Sequence, residues 1–147
     1  MCDNMNFNCG NIYIFVNAIH GNKFPNEDLN KDHPGCVGPK HPENDTLLII
    51  SRGTTSLQFT KRDGTIYNVQ NNPDSVLVVA NKKNGLDKNT YFSKEEVTSS
   101  VNCNTLRNYL KYSHRLGIIE ERFYRQIFSN FFNPPGVNSC KIYTSRK

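Results

Sequence analysis

The amino-acid sequence predicts an α+β fold: a mainly antiparallel sheet, made of an N-terminal strand and a meander, followed by about three C-terminal helices and a last strand. Three observations carry this expectation. NIYIFVNAI over 11–19 is a nearly continuous β-branched and aromatic run, the pattern of a strand covered on both faces. Four short apolar runs then follow one another between turn-forming residues. From 92 onward the chain changes to helix punctuation and four-residue periodicity. At 147 residues it has the size of one domain, with a sheet-rich part over 11–81 and a helical, basic part over 93–132.

Taken in order, the first run predicts a central strand. Residues 20–45 turn polar and are punctuated by Gly, Pro, Asn and Asp without periodicity, which predicts a long loop of the kind that carries function or folds onto a partner. TLLIIS, TSLQFT, TIYNV and SVLVVA are the four strand-like runs. Between the second and third, Asp63-Gly64 marks a hairpin, because both residues tolerate positive φ. NKKNGLDKNT then reads as a polar linker.

Ser93 followed by Glu96 is a capping-box pattern, so a short helix is expected to begin at Ser93. Asn102 and Asn104 offer a turn or a second N-cap, and Gly117 the left-handed position past a helix end. On that second helix Leu106, Tyr109, Leu110 and Ser113 share one face, while Arg107, Lys111, His114 and Arg115 fall opposite. Ile119, Phe123, Ile127 and Phe131 recur every four residues and predict a third helix whose aromatic stripe is core. Pro134, Pro135 and Gly136 end it, and CKIYTS is expected to return as a strand.

Charge is distributed unevenly. Residues 1–104 hold ten Lys/Arg and eleven Asp/Glu, whereas 105–147 hold eight Lys/Arg against Glu120 and Glu121. Such asymmetry points to a polyanionic partner for the C-terminal part. No export signal is expected in the first residues and no stretch is long enough for a membrane span. The five unpaired-looking cysteines, Cys2, Cys9, Cys36, Cys103 and Cys140, predict reduced thiols in the cytoplasm or nucleus.

The stretch LRNYLKYSHRLGIIE, with the capping box before it, resembles the recognition helix and exit of helix-turn-helix and winged-helix modules over 93–119. That resemblance implies a helix presented to a nucleic-acid groove, with Arg107, Lys111, His114 and Arg115 as phosphate or groove contacts. Arg122 and Arg125 would extend the patch from the third helix.

Other constellations support different chemistry. Cys103 in Asn-Cys-Asn at an expected helix start would have its thiolate favoured by the helix amides. The same string resembles the nucleophile region of permuted papain-like hydrolases, with His20 as general base. Cys9, His33, Cys36 and His41 offer nitrogen and sulfur donors for zinc, with Cys2 as a substitute for Cys9, but no Cys-x-x-Cys pair accompanies them. His20 or His114 with neighbouring cations supplies the residue types of a metal-free ribonuclease. No glycine-rich phosphate loop is present and no cofactor is expected. The sequence therefore predicts a small intracellular DNA- or RNA-binding protein without enzymatic activity, of the kind viruses and mobile elements use as regulators. A cysteine hydrolase and a protein-interaction module acting through 20–45 are the alternatives.

Overall fold

A computed structural model describes residues 9–20, 28, 30–41, 44–56, 58–60, 64–69, 75–94, 98–102 and 105–129. Among these residues there are nine strands, β1 (Asn11–Val16), β2 (Asp32–His41), β3 (Asn44–Thr54), β4 (Gln58–Thr60), β5 (Ile66–Asn68), β6 (Ser75–Val78), β7 (Thr90–Ser93), β8 (Thr98–Asn102) and β9 (Gly117–Ile118). A single α-helix stands among the described residues, α1 (Glu121–Ile127), with 3-10 turns at Asn17–His20 and Leu106–Tyr109. The main sheet is a curled antiparallel half-barrel in the order β6-β7-β3-β2-β1-β9, with β8 also on β3, while β4 and β5 form a separate two-stranded hairpin.

This overturns the expected α+β arrangement with about three helices. The capping-box serine ends a strand: Ser93 is buried and its carbonyl accepts from Ser51 Oγ at 2.7 Å. β7 and β8 then lie in tandem on one edge of β3. Phe92 pairs with Gly53 and Thr98 with Ser51, so six residues advance on one chain against two on the other. The second expected helix is reduced to the four-residue turn Leu106–Tyr109. Leu106, Tyr109 and Leu110 do pack together, which is why their spacing looked helical, but sheet pairing claims the rest of the segment. Of the expected helices only the third is present, as α1, with Phe123, Tyr124, Ile127 and Phe128 buried. Phe131 and the CKIYTS strand lie outside the described residues.

The loop expected over 20–45 is also corrected, since 32–41 is the central strand β2, paired to β1 on one edge and β3 on the other. Its prolines and glycines hid it. Val37 pairs with Ile50 but Lys40 with Leu48, so one extra residue is accommodated at Gly38-Pro39. A bulge is where a strand tolerates a proline. The Asp63-Gly64 signal does mark a hairpin, β4 to β5, with Gly64 at φ +90°. That hairpin pairs with no strand of the main sheet among the described residues.

Strand alternation sends β1 to β3 into two cores. Ile12, Cys36 and Ile49 face α1, Phe92 and Val78. Tyr13, Phe15, Val37, Leu48 and Ile50 face Ile19 and Leu106 of the two 3-10 turns. Each fully buried large side chain contributes roughly 1.5–3 kcal/mol. Cys36 is a free, fully buried thiol whose ionisation burial pushes far up, whereas Cys9 is disulfide-bonded. The expectation that every thiol is reduced is thus corrected. No helix among the described residues is long and apolar enough to cross a membrane.

Tyr124 gives the fold a pH limit. Burial, with the Cys36 thiol beside it, raises the phenol well above its ordinary value of 10.0, and Arg125 only partly opposes this. The raised folded-state pKa leaves stability intact below pH 10. Above that the unfolded chain ionises Tyr124 while the folded chain does not, so up to about 1.4 kcal/mol is lost per pH unit. Thermal denaturation from pH 8 to 11 is expected to show a decline that Tyr124→Phe makes shallower above pH 10, the part due to the buried Cys36 thiol remaining. An equal decline in the variant would assign the effect elsewhere.

Candidate nucleic-acid interface

The outer edge of β1 is covered by an irregular partner. Leu110 bridges Phe15, and Gly117 pairs with Ile12, so seven residues advance against three on β1. The amides of Lys111 and Leu116 donate to the carbonyls of Ile14 and Ile12 at 2.8 and 2.7 Å. Between these anchors Tyr112, Ser113, His114 and Arg115 are extruded into solvent. All four are exposed, as is Lys111. The extrusion is ordered by its own side chains: the Tyr112 and His114 rings stack at 5.7 Å and 26°, and Arg115 Nη1 donates to Asn11 Oδ1 at 3.3 Å.

Beside this loop lies a cleft of about 360 Å³. Its floor is Ile14 of β1, Asp32 and Pro34 of β2, and Thr55 just beyond β3. One wall is the 79–89 segment, through Leu86, Asp87 and Lys88, and Tyr112 and Leu116 form the rim. The wall is held rigid by asparagines. Asn84, fully buried, accepts at Oδ1 from the amides of Asn81 and Leu86 at 3.1 and 3.0 Å and donates from Nδ2 to the Val79 carbonyl at 2.9 Å. The Ile118 amide then donates to the Lys83 carbonyl at 2.9 Å and ties the wall to β9. Gly117 serves this close approach, because a Cβ there would sit 2.3 Å from the Lys83 carbonyl oxygen. It is not the left-handed helix end the sequence suggested.

The expected basic helix face is thus redistributed. Arg107 is exposed on the 3-10 turn that covers the Tyr13 and Phe15 face, and Lys111, His114 and Arg115 gather in the extruded loop. Arg122 and Arg125 lie on α1, which covers the other face, and their charge is matched locally. Arg125 donates to Glu121 Oε2 from Nε and Nη2 at 3.0 and 2.7 Å. Arg122 stands 3.9 Å from Glu120 and over the Phe123 ring.

The remaining candidates are placed as follows. Cys103 lies outside the described residues, and the helix whose amides were to activate it is replaced by the short turn beginning at Leu106. His20 is buried at the end of the first 3-10 turn. His33 and Cys36 project to opposite faces of β2, and Cys36 is core. Arg52, 2% exposed, donates from Nε to Asn17 Oδ1 at 3.3 Å and from Nη2 to His33 Nε2 at 2.8 Å, which occupies the lone pair a metal would need. The Cys9 disulfide withdraws another donor, and the His41 side chain is outside the described residues. Among the described residues no group of three or more His, Cys, Asp or Glu could hold a metal ion.

Sequence reasoning missed the cleft. Asp32 sat in a supposed loop, Thr55 opened the strand-like run TSLQFT, and 81–90 read as a linker although its Asn-rich turn signals were visible. Compared with protein-family models and with curated proteins, the chain matches none.

Proposed function

We propose that the protein binds single-stranded nucleic acid along the outer edge of β1, through the loop of Lys111, Tyr112, His114 and Arg115. The observation that carries this is the pairing of two exposed stacked rings with flanking cations on one short, anchored loop. Base stacking on aromatic side chains with neutralisation of the adjoining phosphates is how strands are held without sequence readout. Such a partner is met in the cytoplasm or nucleus.

Fluorescence anisotropy of labelled single-stranded RNA, single-stranded DNA and duplex DNA over a salt series tests this. Lys111→Ala with Arg115→Ala is expected to weaken binding and lower the log-log salt slope by about 1.4, two contacts at roughly 0.7 each. Tyr112→Ala is expected to cost about 1–3 kcal/mol of affinity. Arg125→Ala, whose charge already serves Glu121, is expected to change little. Unchanged affinity in the Lys111/Arg115 variant, or no binding by the native protein at low salt, would overturn the reading.

A further inference from the structure

We infer that the cleft beside Tyr112 takes one base of the bound strand and selects guanine. This rests on the interface proposed above and gives that interface a specificity. At about 360 Å³ the cleft falls within the range of small-molecule pockets. Its charge pattern is the reverse of the loop's. The loop presents Lys111 and Arg115, whereas the cleft lining carries Asp32 and Asp87 with Lys88 as its one cation. A phosphate is repelled from the cleft and drawn to the loop, while the apolar surfaces of Ile14, Pro34, Leu86 and Leu116 suit a flat ring. A nucleotide has this same polarity, a neutral base joined to an anionic backbone.

Ionised carboxylates are acceptors only, so the base edge they favour is one rich in donors. Guanine offers two adjacent donors, N1–H and N2–H2, which a carboxylate can accept together. Cytosine and adenine offer one amino group and uracil a single imide. Those guanine donors are occupied in a duplex, so the cleft also requires an unpaired base. Tyr112, 47% exposed at the rim, joins the two parts: its ring can carry the neighbouring base while the next one enters.

The test is anisotropy with the full chain and two labelled uridine decamers, one of them with a single central guanosine, and with adenosine and cytidine versions for rank order. The guanosine decamer is expected to bind about tenfold tighter than all-uridine, within the discrimination a bidentate base contact provides. Asp32→Asn with Asp87→Asn, both at exposed positions, is expected to bring the affinities for the two decamers within about twofold of each other. Lys111→Ala with Arg115→Ala is expected to weaken both equally. Equal affinity of the native protein for all four decamers would overturn the guanine assignment and leave the interface standing. A guanosine preference that survives both Asp→Asn changes would also overturn it. No binding of any decamer at low salt would remove the interface and the cleft assignment together.

Discussion

Gly38→Ala is expected to destabilise the protein by about 1–3 kcal/mol, a large cost for one methyl group. The added Cβ would stand 2.3 Å from Cε1 of Phe128, with Cζ and Cδ1 at 2.6 and 2.7 Å. Phe128 is fully buried at the end of α1, and Tyr124 packs against it with ring centroids 5.0 Å apart. The ring can yield only by moving the helix end from the β2 bulge. Stiffening of the unfolded chain, which for Gly→Ala offsets about 0.4–1 kcal/mol where the conformation permits, is too small to cancel the clash. Phe128→Ala alone is expected to cost about 3–5 kcal/mol through lost burial and the cavity left behind. Combined, the two changes remove the clash and partly refill the void, so the double variant should lose at least about 1 kcal/mol less than the sum. Urea denaturation midpoints at constant m-value measure this. Additive losses would show that Gly38 and Phe128 do not share the packing described.

That contact also shows where the sequence could and could not be read. The aromatic stripe from Phe123 to Phe128 was legible because helical period and burial coincide there. So was the strand nature of β1, whose residues are apolar on both faces because a core lies on each side. β2 was not legible. HPGCVGPKH has the composition of a loop, and only the ring of Phe128 over Gly38 and that of Phe15 against Gly35 explain why small residues stand in a central strand. The pattern at 93–117 misled for the opposite reason. A serine three residues before a glutamate and leucines at helical spacing are local preferences. Pairing with the long strand β3 and the outer edge of β1 satisfies many backbone groups at once, and tertiary context outweighs propensities of a few tenths of a kcal/mol per residue. The candidate site was half legible: Lys111, His114 and Arg115 were named from charge, but on a helix. Tyr112, Asp32 and Asp87 come to line one cleft only through tertiary structure, which no local pattern records.

Asn84→Ala is expected to have the second large effect, about 1–3 kcal/mol, because it leaves the buried Leu86 amide unpaired. The buried Leu86 amide loses its side-chain partner, whereas the Asn81 amide and the Val79 carbonyl, both on exposed residues, can turn to water. Asn89→Ala removes a bond from the Ala80 amide at 2.9 Å in an exposed position and is expected to cost under about 1 kcal/mol. Thermal denaturation separates the two variants, and hydrogen exchange locates the damage. Amides of Leu86 and Ile118 should lose protection in Asn84→Ala, since one is bonded to Asn84 itself and the other to the wall it holds, while β2 and β3 amides stay protected to the same depth relative to global unfolding. Protection retained at Leu86 would mean that the wall does not depend on Asn84. Loss confined to the wall would mean that a segment with the composition of a linker is the rigid side of the cleft. The placement of Asp87 in the cleft lining would then be set by one buried amide rather than by the charged residues themselves.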